Sequence, residues 1–220
     1  LIMGGVAAGA TAAARARRLD ETADITVVER GPYVSYANCG LPYFLSGDIQ
    51  ERSKLLLQTP EGFKRRYGVD VQVNTEALEL DRAGRRVRVK GPAGETWLSY
   101  DALVLAQGGT PITPRLPGVE LPHVFTLWTV PDMDRLQRTL LEARPARAVV
   151  VGGGFIGLEM AEALTARGVA TTVVELAPTV MGQLDPEFGV QAAQALRRHG
   201  VEVRTGVGLA AIHPDAVELA

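Results

Sequence analysis

Cys39 is the only cysteine among 220 residues, and it stands in Ser35-Tyr36-Ala37-Asn38-Cys39-Gly40-Leu41-Pro42-Tyr43. A lone thiol cannot close an internal disulfide. A redox role therefore needs a partner from a substrate thiol, an oxygen species or another chain. The competing use of a free cysteine is as a small buried apolar residue. The thiol lies between two glycine clusters, which carry the second piece of chemistry. Gly152-Gly153-Gly154-Phe155-Ile156-Gly157 fits G-x-G-x-x-G in full. In that pattern Gly152 permits the tight turn, Gly154 lets a pyrophosphate approach the backbone, and Gly157 lets the helix pack close to the strand. The helix N-terminus that follows offers unpaired N–H groups to phosphate. Glu175 stands 18 residues past Gly157, where a carboxylate can accept from both ribose hydroxyls.

The first cluster, Gly4-Gly5-Val6-Ala7-Ala8-Gly9, has Val6 where the middle glycine is expected. Glu29, 20 residues after Gly9 and followed by Arg30, keeps the dinucleotide reading. A third piece is Tyr100–Pro111, a buried strand ending in Ala106-Gln107-Gly108-Gly109. Its small residues let the chain pass close to a large ligand.

The elements that must position these groups read as follows. Leu1–Met3 is the tail of a strand, Ala7–Leu19 a helix, and Asp24–Glu29 a second buried strand. Cys39 opens a short helix, and Phe63–Tyr67 is a second helical stretch. Val69–Val73, Arg86–Lys90 and Glu95–Tyr100 alternate as strands, the last two joined by the Gly91–Gly94 turn into a β-meander. Ala102–Ala106 follows as a buried strand. Pro111, Pro114, Pro117 and Pro122 then stiffen a connection. From Arg147 the opening pattern recurs about 150 residues on: strand, glycine turn, helix, strand, terminal glutamate. Asp185–His199 and Val201–Val203 add a helix and a strand. The fold class is α/β, with two Rossmann-like dinucleotide-binding units. The domains are 1–112, an incomplete 147–220, and between them 113–146, a proline-rich connection with a helix.

The 23 basic and 25 acidic residues create no field for nucleic acid or anionic lipid. No apolar run approaches a membrane span. One unpaired cysteine favours a reducing, cytoplasmic compartment. Because the chain opens on Leu1-Ile2-Met3 and stops at Glu218-Leu219-Ala220, it reads as truncated at both ends.

Two Rossmann units, the Gly108-Gly109-Thr110-Pro111 segment and the thiol resemble the FAD-dependent pyridine nucleotide-disulfide oxidoreductases. Within them the chain is similar to the single-cysteine branch of coenzyme A-disulfide reductases. That branch reads Ser-Phe-x-x-Cys, here Ser35-Tyr36-Ala37-Asn38-Cys39, and the Asn-Cys-Gly-Leu-Pro-Tyr continuation matches. Phe44 stands where the dithiol members need a second cysteine. NADH oxidases and peroxidases of the branch carry a histidine where this chain has Ala7, and usually Ser-Cys where it has Asn38-Cys39.

The resemblance implies FAD on the first unit, contacted by Gly4, Gly5, Val6, Ala7, Ala8, Gly9, Glu29, Arg30, Gln107 and Gly108. It implies a nicotinamide nucleotide on Gly152, Gly153, Gly154, Phe155, Ile156, Gly157, Glu159 and Glu175, and the Glu175 carboxylate, which would repel a 2′-phosphate, favours NADH over NADPH. Cys39 would be the redox centre, with Asn38 and Ser35 orienting substrate or sulfur. Coenzyme A disulfide, or a related persulfide or polysulfide, would be held by Thr11, Arg15, Arg18, Ser35 and Asn38. A further basic contact of the family falls on Tyr67, so Arg65 or Arg66 would have to compensate. The resemblance further implies a homodimer, and His123, His199 and His213 show no metal or triad spacing. The alternatives are an NADH oxidase or peroxidase working through a Cys39 sulfenic acid, and an FAD-dependent electron-transfer reductase.

Overall fold

The computed structural model describes residues 1–220. The chain divides into two compact units, Leu1–Ala37 with Ser53–Thr110, and Asn38–Arg52 with Pro111–Ala220. The thiol segment therefore leaves the first unit and packs with the second, which a linear boundary near residue 112 does not anticipate.

In the first unit β1 (Ile2–Met3) turns through the first glycine cluster into α1 (Ala7–Leu19). β2 (Thr26–Val28) lies parallel to β1, with Ile2 opposite Val27. Alanine is the best helix former, and its small side chain lets α1 bury Gly9, Ala10 and Ala13. The chain then runs out through α2 (Leu41–Ser46), which belongs to the second unit, and returns to α3 (Pro60–Tyr67). Thr59 caps α3 by accepting the Gly62 N–H, and Gly68 ends it at φ +61°.

β3 (Asp70–Gln72) pairs with β2, and β7 (Val104–Leu105) pairs with β1, giving a parallel sheet of order β3-β2-β1-β7. Between them β4 (Glu76–Asp81), β5 (Arg86–Gly91) and β6 (Gly94–Ser99) form an antiparallel meander. Strand alternation sends neighbouring side chains to opposite faces. Ile2 and Val27 pack with Ala10, Ala13 and Phe63, whereas Met3 and Val28 pack with Val87 and Val89. The sheet is thus sandwiched between helices and meander. Each such buried Val or Ile contributes about 1.5–3 kcal/mol.

One expectation is extended here and one changes. The alternating stretch near Val69–Val73 joins the parallel sheet, and Glu76–Asp81 supplies the strand before Arg86 in the meander. Alternation is common to both settings, so only the partner strand decides between them. The strand expected to be buried at Ala102–Ala106 is an edge strand, with Val104 41% and Leu105 60% exposed.

In the second unit α4 (Val130–Glu142) begins at a capping box in which Thr129 and Asp132 bond reciprocally. β8 (Arg147–Val151), α5 (Phe155–Ala166), β9 (Ala170–Glu175), α6 (Pro186–Arg198) and β10 (Glu202–Thr205) follow. Their parallel sheet has the order β10-β9-β8, and β11 (Leu209–Ile212) with β12 (Val217–Leu219) closes the chain as a hairpin. Ala161, Val173, Val180, Ala193 and Val201 form the core. α2 lies against α4 and α5 through its buried Leu41, Pro42 and Leu45. No helix is long and apolar enough to cross a membrane.

Candidate functional site: two nucleotide turns, a thiol and a cleft

The two glycine turns share one backbone geometry. In the first, Gly4 takes φ +95°, and a Cβ on Gly9 would lie 1.7 Å from the Gly4 carbonyl oxygen. In the second, Gly152 takes φ +105°, and a Cβ on Gly157 would lie 1.9 Å from the Gly152 oxygen. The last glycine of each cluster is therefore required by helix-to-turn packing. Each strand-ending glutamate also closes its turn. Glu29 accepts from the N–H groups of Gly5 and Gly31, both at 2.7 Å. Glu175 accepts from those of Gly153 at 2.5 Å and Ala177 at 2.7 Å. Both carboxylates keep further lone pairs for a ligand.

The helices that follow carry open N-termini. Neither Val6 before α1 nor Gly154 before α5 supplies a side-chain cap, so no side chain satisfies the first-turn N–H groups. A Cβ on Gly152 would meet nothing within 4 Å, and one on Gly154 only Gln183 Nε2 at 3.8 Å. The second turn thus keeps a bare backbone beside a positive helix end, the environment a pyrophosphate requires. The first turn has the same helix end, with the half-buried Val6 side chain where the second has none.

Cys39 is exposed, which removes its reading as a buried apolar residue. It sits in a short 3₁₀ turn, Asn38–Gly40, that runs directly into α2. Pro42 falls in the first turn of α2, where its missing N–H costs nothing. Four residues before the thiol, Ser35 adopts φ +46°, a conformation that costs a non-glycine residue roughly 1–2 kcal/mol. Its N–H donates to Gly5 O at 2.9 Å and its carbonyl accepts from Leu57 N at 3.0 Å. The strained residue is therefore held from both sides. Ser35 lines a cleft of about 330 Å³ in the first unit together with Thr11, Arg18, Leu57, Gln58 and Tyr67.

The model of one protein family, described as pyridine nucleotide-disulphide oxidoreductase, matches residues 1–220. The chain belongs to this family. It is 38% identical over 200 residues to the CoA-dependent NAD(P)H sulfur oxidoreductase of Pyrococcus abyssi, covering 90% of this chain and 44% of that protein. It is 33% identical over 190 residues to the coenzyme A disulfide reductase of Staphylococcus haemolyticus, covering 86% and 42%. Among solved structures, the reduced CoADR-RHD of Bacillus anthracis superposes with a TM-score of 0.95 at 41% identity, covering 99% of this chain and 40% of that one. The chain spans less than half the length of these relatives.

This family uses FAD and a nicotinamide nucleotide, and the two turns fit such ligands. Around them Ala7, Ala8, Arg30, Gln107 and Gly108 are exposed in the first unit. In the second unit Phe155 and Ile156 are 56% and 46% exposed at the open end of α5, and Glu159 is half-buried one turn on. Of the residues expected to hold substrate, the structure gathers Thr11, Arg18 and Ser35 around the cleft. Arg15 is exposed on α1 outside its lining, and Asn38 belongs to the other unit.

Arg17 has a function that sequence reading missed. Its guanidinium donates to Tyr67 O at 2.7 Å, Glu21 O at 2.5 Å and Ala23 O at 2.7 Å. It ties the end of α1 to the end of α3. Its place on a different helical face from Arg18 was the available signal. Arg66 stacks 5.3 Å from the centre of the Tyr67 ring, so a base does stand beside the position where Tyr67 replaces one.

Proposed function

We propose that this chain forms the FAD- and NADH-binding part of a cytoplasmic, homodimeric enzyme that reduces coenzyme A disulfide, or a related persulfide or polysulfide, through Cys39. The observation that carries the reading is the exposed single thiol, four residues beyond a strained Ser35 that lines a cleft with Thr11 and Arg18. The names of the Pyrococcus and Staphylococcus relatives support the substrate class.

Gly4–Gly9 with Glu29 would hold FAD, and Gly152–Gly157 with Glu175 would hold NADH. FAD supplies, when bound, a two-electron relay between nicotinamide and sulfur. The chain's own residues do the sulfur chemistry. The Cys39 thiolate attacks one sulfur of the substrate disulfide, forming a Cys39–coenzyme A mixed disulfide and releasing one coenzyme A thiolate. Two electrons originating from NADH then cleave the mixed disulfide, restore the Cys39 thiolate and release the second coenzyme A. Two protons complete the two thiol products, one from NADH oxidation and one from solvent. Thr11, Arg18 and Ser35 bind and orient the substrate, with the guanidinium of Arg18 suited to its phosphates. Asn38, adjacent to the thiol, orients sulfur through neutral hydrogen bonds.

Intact-mass measurement of the purified holoenzyme tests the reading. Reductant should remove the mass of one coenzyme A per chain, and NADH should then support turnover of coenzyme A disulfide. A mass unchanged by reductant together with fast turnover of peroxide or oxygen would transfer the assignment to a Cys39 sulfenic acid enzyme.

A further inference from the structure

Cys39 is carried by the Asn38–Arg52 segment, which belongs to the second unit, and one side chain there joins its helix to two others. Arg167 is the residue at which α5 ends. Its Nε donates to the Leu45 carbonyl at 2.6 Å, and one terminal nitrogen lies 3.4 Å from Gln137 Oε1. Leu45 is in the last turn of α2 and Gln137 lies on α4, so a single guanidinium joins three helices. The C-terminal carbonyls of a helix lack intrahelical partners, and a cation there also meets the negative end of the helix dipole. At Gly47, φ +100° ends α2 beside the Arg167 guanidinium, whose carbon lies 4.0 Å from where a Cβ would stand. Beyond α2, Arg52 makes a two-pronged contact with Asp134 of α4, at 2.7 and 2.6 Å. The thiol turn thus begins a short helix clamped at its far end to α5.

The other end of α5 is the glycine turn at Gly154–Gly157. Its 12 residues make a rigid rod of about 18 Å, with the nucleotide turn at one end and Arg167 at the other. We infer that Arg167 is a positioning residue for the redox thiol, fixing α2, and hence Cys39, relative to the helix that carries the nicotinamide turn. The contact is specific to a multi-donor side chain on the last turn of α5. It acts through the Leu45 carbonyl and touches neither Cys39 nor a nucleotide. The inference rests on the proposed redox role of Cys39, and its physical readout is independent of that role.

The test compares Arg167→Ala and Arg167→Lys in the FAD-loaded holoenzyme. Backbone amides of the 41–49 segment should exchange with deuterium about tenfold faster in Arg167→Ala, while those of α5 keep the parent rate. Turnover of coenzyme A disulfide should fall about tenfold in kcat with KM unchanged, the pattern of a misplaced reacting group. Reduction of the flavin by NADH, which does not involve the thiolate attack, should stay within about twofold of the parent. Lysine retains one donor to the Leu45 carbonyl and should restore most of both effects. Unchanged exchange in the 41–49 segment would overturn the inference, and so would an acceleration spread equally over α5 and the core, because that is general loss of stability. Accelerated exchange with no turnover defect would remove the functional consequence. If Arg167→Ala fails to fold, Arg167→Met, which keeps the aliphatic stem and removes every donor, carries the same exchange measurement, and parent-like exchange in its 41–49 segment overturns the inference. If Cys39→Ser retains full turnover, the redox reading fails while the exchange result still decides whether Arg167 fixes α2.

Discussion

Glu175 accepts the Gly153 N–H at 2.5 Å, so the carboxylate that would read the ribose also shapes the turn beneath the pyrophosphate. NADH should reduce the flavin faster than NADPH by roughly tenfold to a hundredfold in kcat/KM, since the 2′-phosphate would meet like charge. Glu175→Gln turns one acceptor into a donor facing an N–H group, and it should lower stability by about 1–2 kcal/mol while narrowing that preference. Stopped-flow flavin reduction with each nucleotide, paired with thermal melts, checks both effects. Equal rates with the two nucleotides in the parent enzyme would refute the assignment.

The glycines of the second turn separate folding from binding. Gly157→Ala should cost about 3 kcal/mol, because its Cβ would lie 1.9 Å from a backbone oxygen. Gly154→Ala meets no protein atom closer than 3.8 Å, so its stability should stay within about 0.5 kcal/mol of the parent. NADH affinity should nevertheless fall about tenfold or more, as the new methyl takes the pyrophosphate's approach. Denaturant melts and nucleotide titrations distinguish the two variants, and a Gly154→Ala protein binding NADH normally would contradict this reading of the turn.

Cys39→Ser alters an exposed side chain and should leave stability and NADH-driven flavin reduction intact. Turnover of coenzyme A disulfide should drop by about a thousandfold. Turnover at the parent rate would point to electron transfer that bypasses the thiol.

Arg18 and Arg15 should behave differently, because only Arg18 lines the cleft. Arg18→Ala should raise KM for coenzyme A disulfide about tenfold, the effect of losing one charge-assisted contact, and should weaken its salt dependence. Arg15→Ala should move it by less than about twofold. Steady-state kinetics at two ionic strengths measure this, and equal effects would place the substrate along the whole α1 face.

Asp81 should confer a small acid-side dependence on the meander. Its carboxyl is held below the usual carboxylate range by the Gly84 N–H, then by hydrogen bonding to Arg86. With the folded value depressed, this stabilisation is fully present above the ordinary value of 3.8 and fades as pH falls through the lower folded value. Asp81→Asn should therefore lower the melting temperature near neutrality, with the difference shrinking at acid pH. A difference that persists unchanged below that range would assign the effect to packing.

The two glycine turns were legible because their requirements are local. A turn with φ above zero, a helix packed within one methyl of it and a glutamate closing the next strand all have to be written as Gly, Gly and Glu at short spacing. The same signal stands in both halves, and the helix expected at Ala7–Leu19 has those bounds. What only the tertiary structure decided depends on partners far away along the chain. Val69–Val73 and Glu76–Asp81 differ in the sheet they join, and pairing with β2 or β5 settles that. Arg17 and Arg18 are adjacent and chemically alike, but Arg17 reaches carbonyls 50 residues on while Arg18 faces the cleft. The thiol segment's allegiance to the second unit rests on its buried Leu41, Pro42 and Leu45 and on partners as far off as Arg167, which meets a carbonyl 122 residues away. Backbone carbonyls are the same at every residue, so a sequence can name the donor and not the acceptor that folding brings to it.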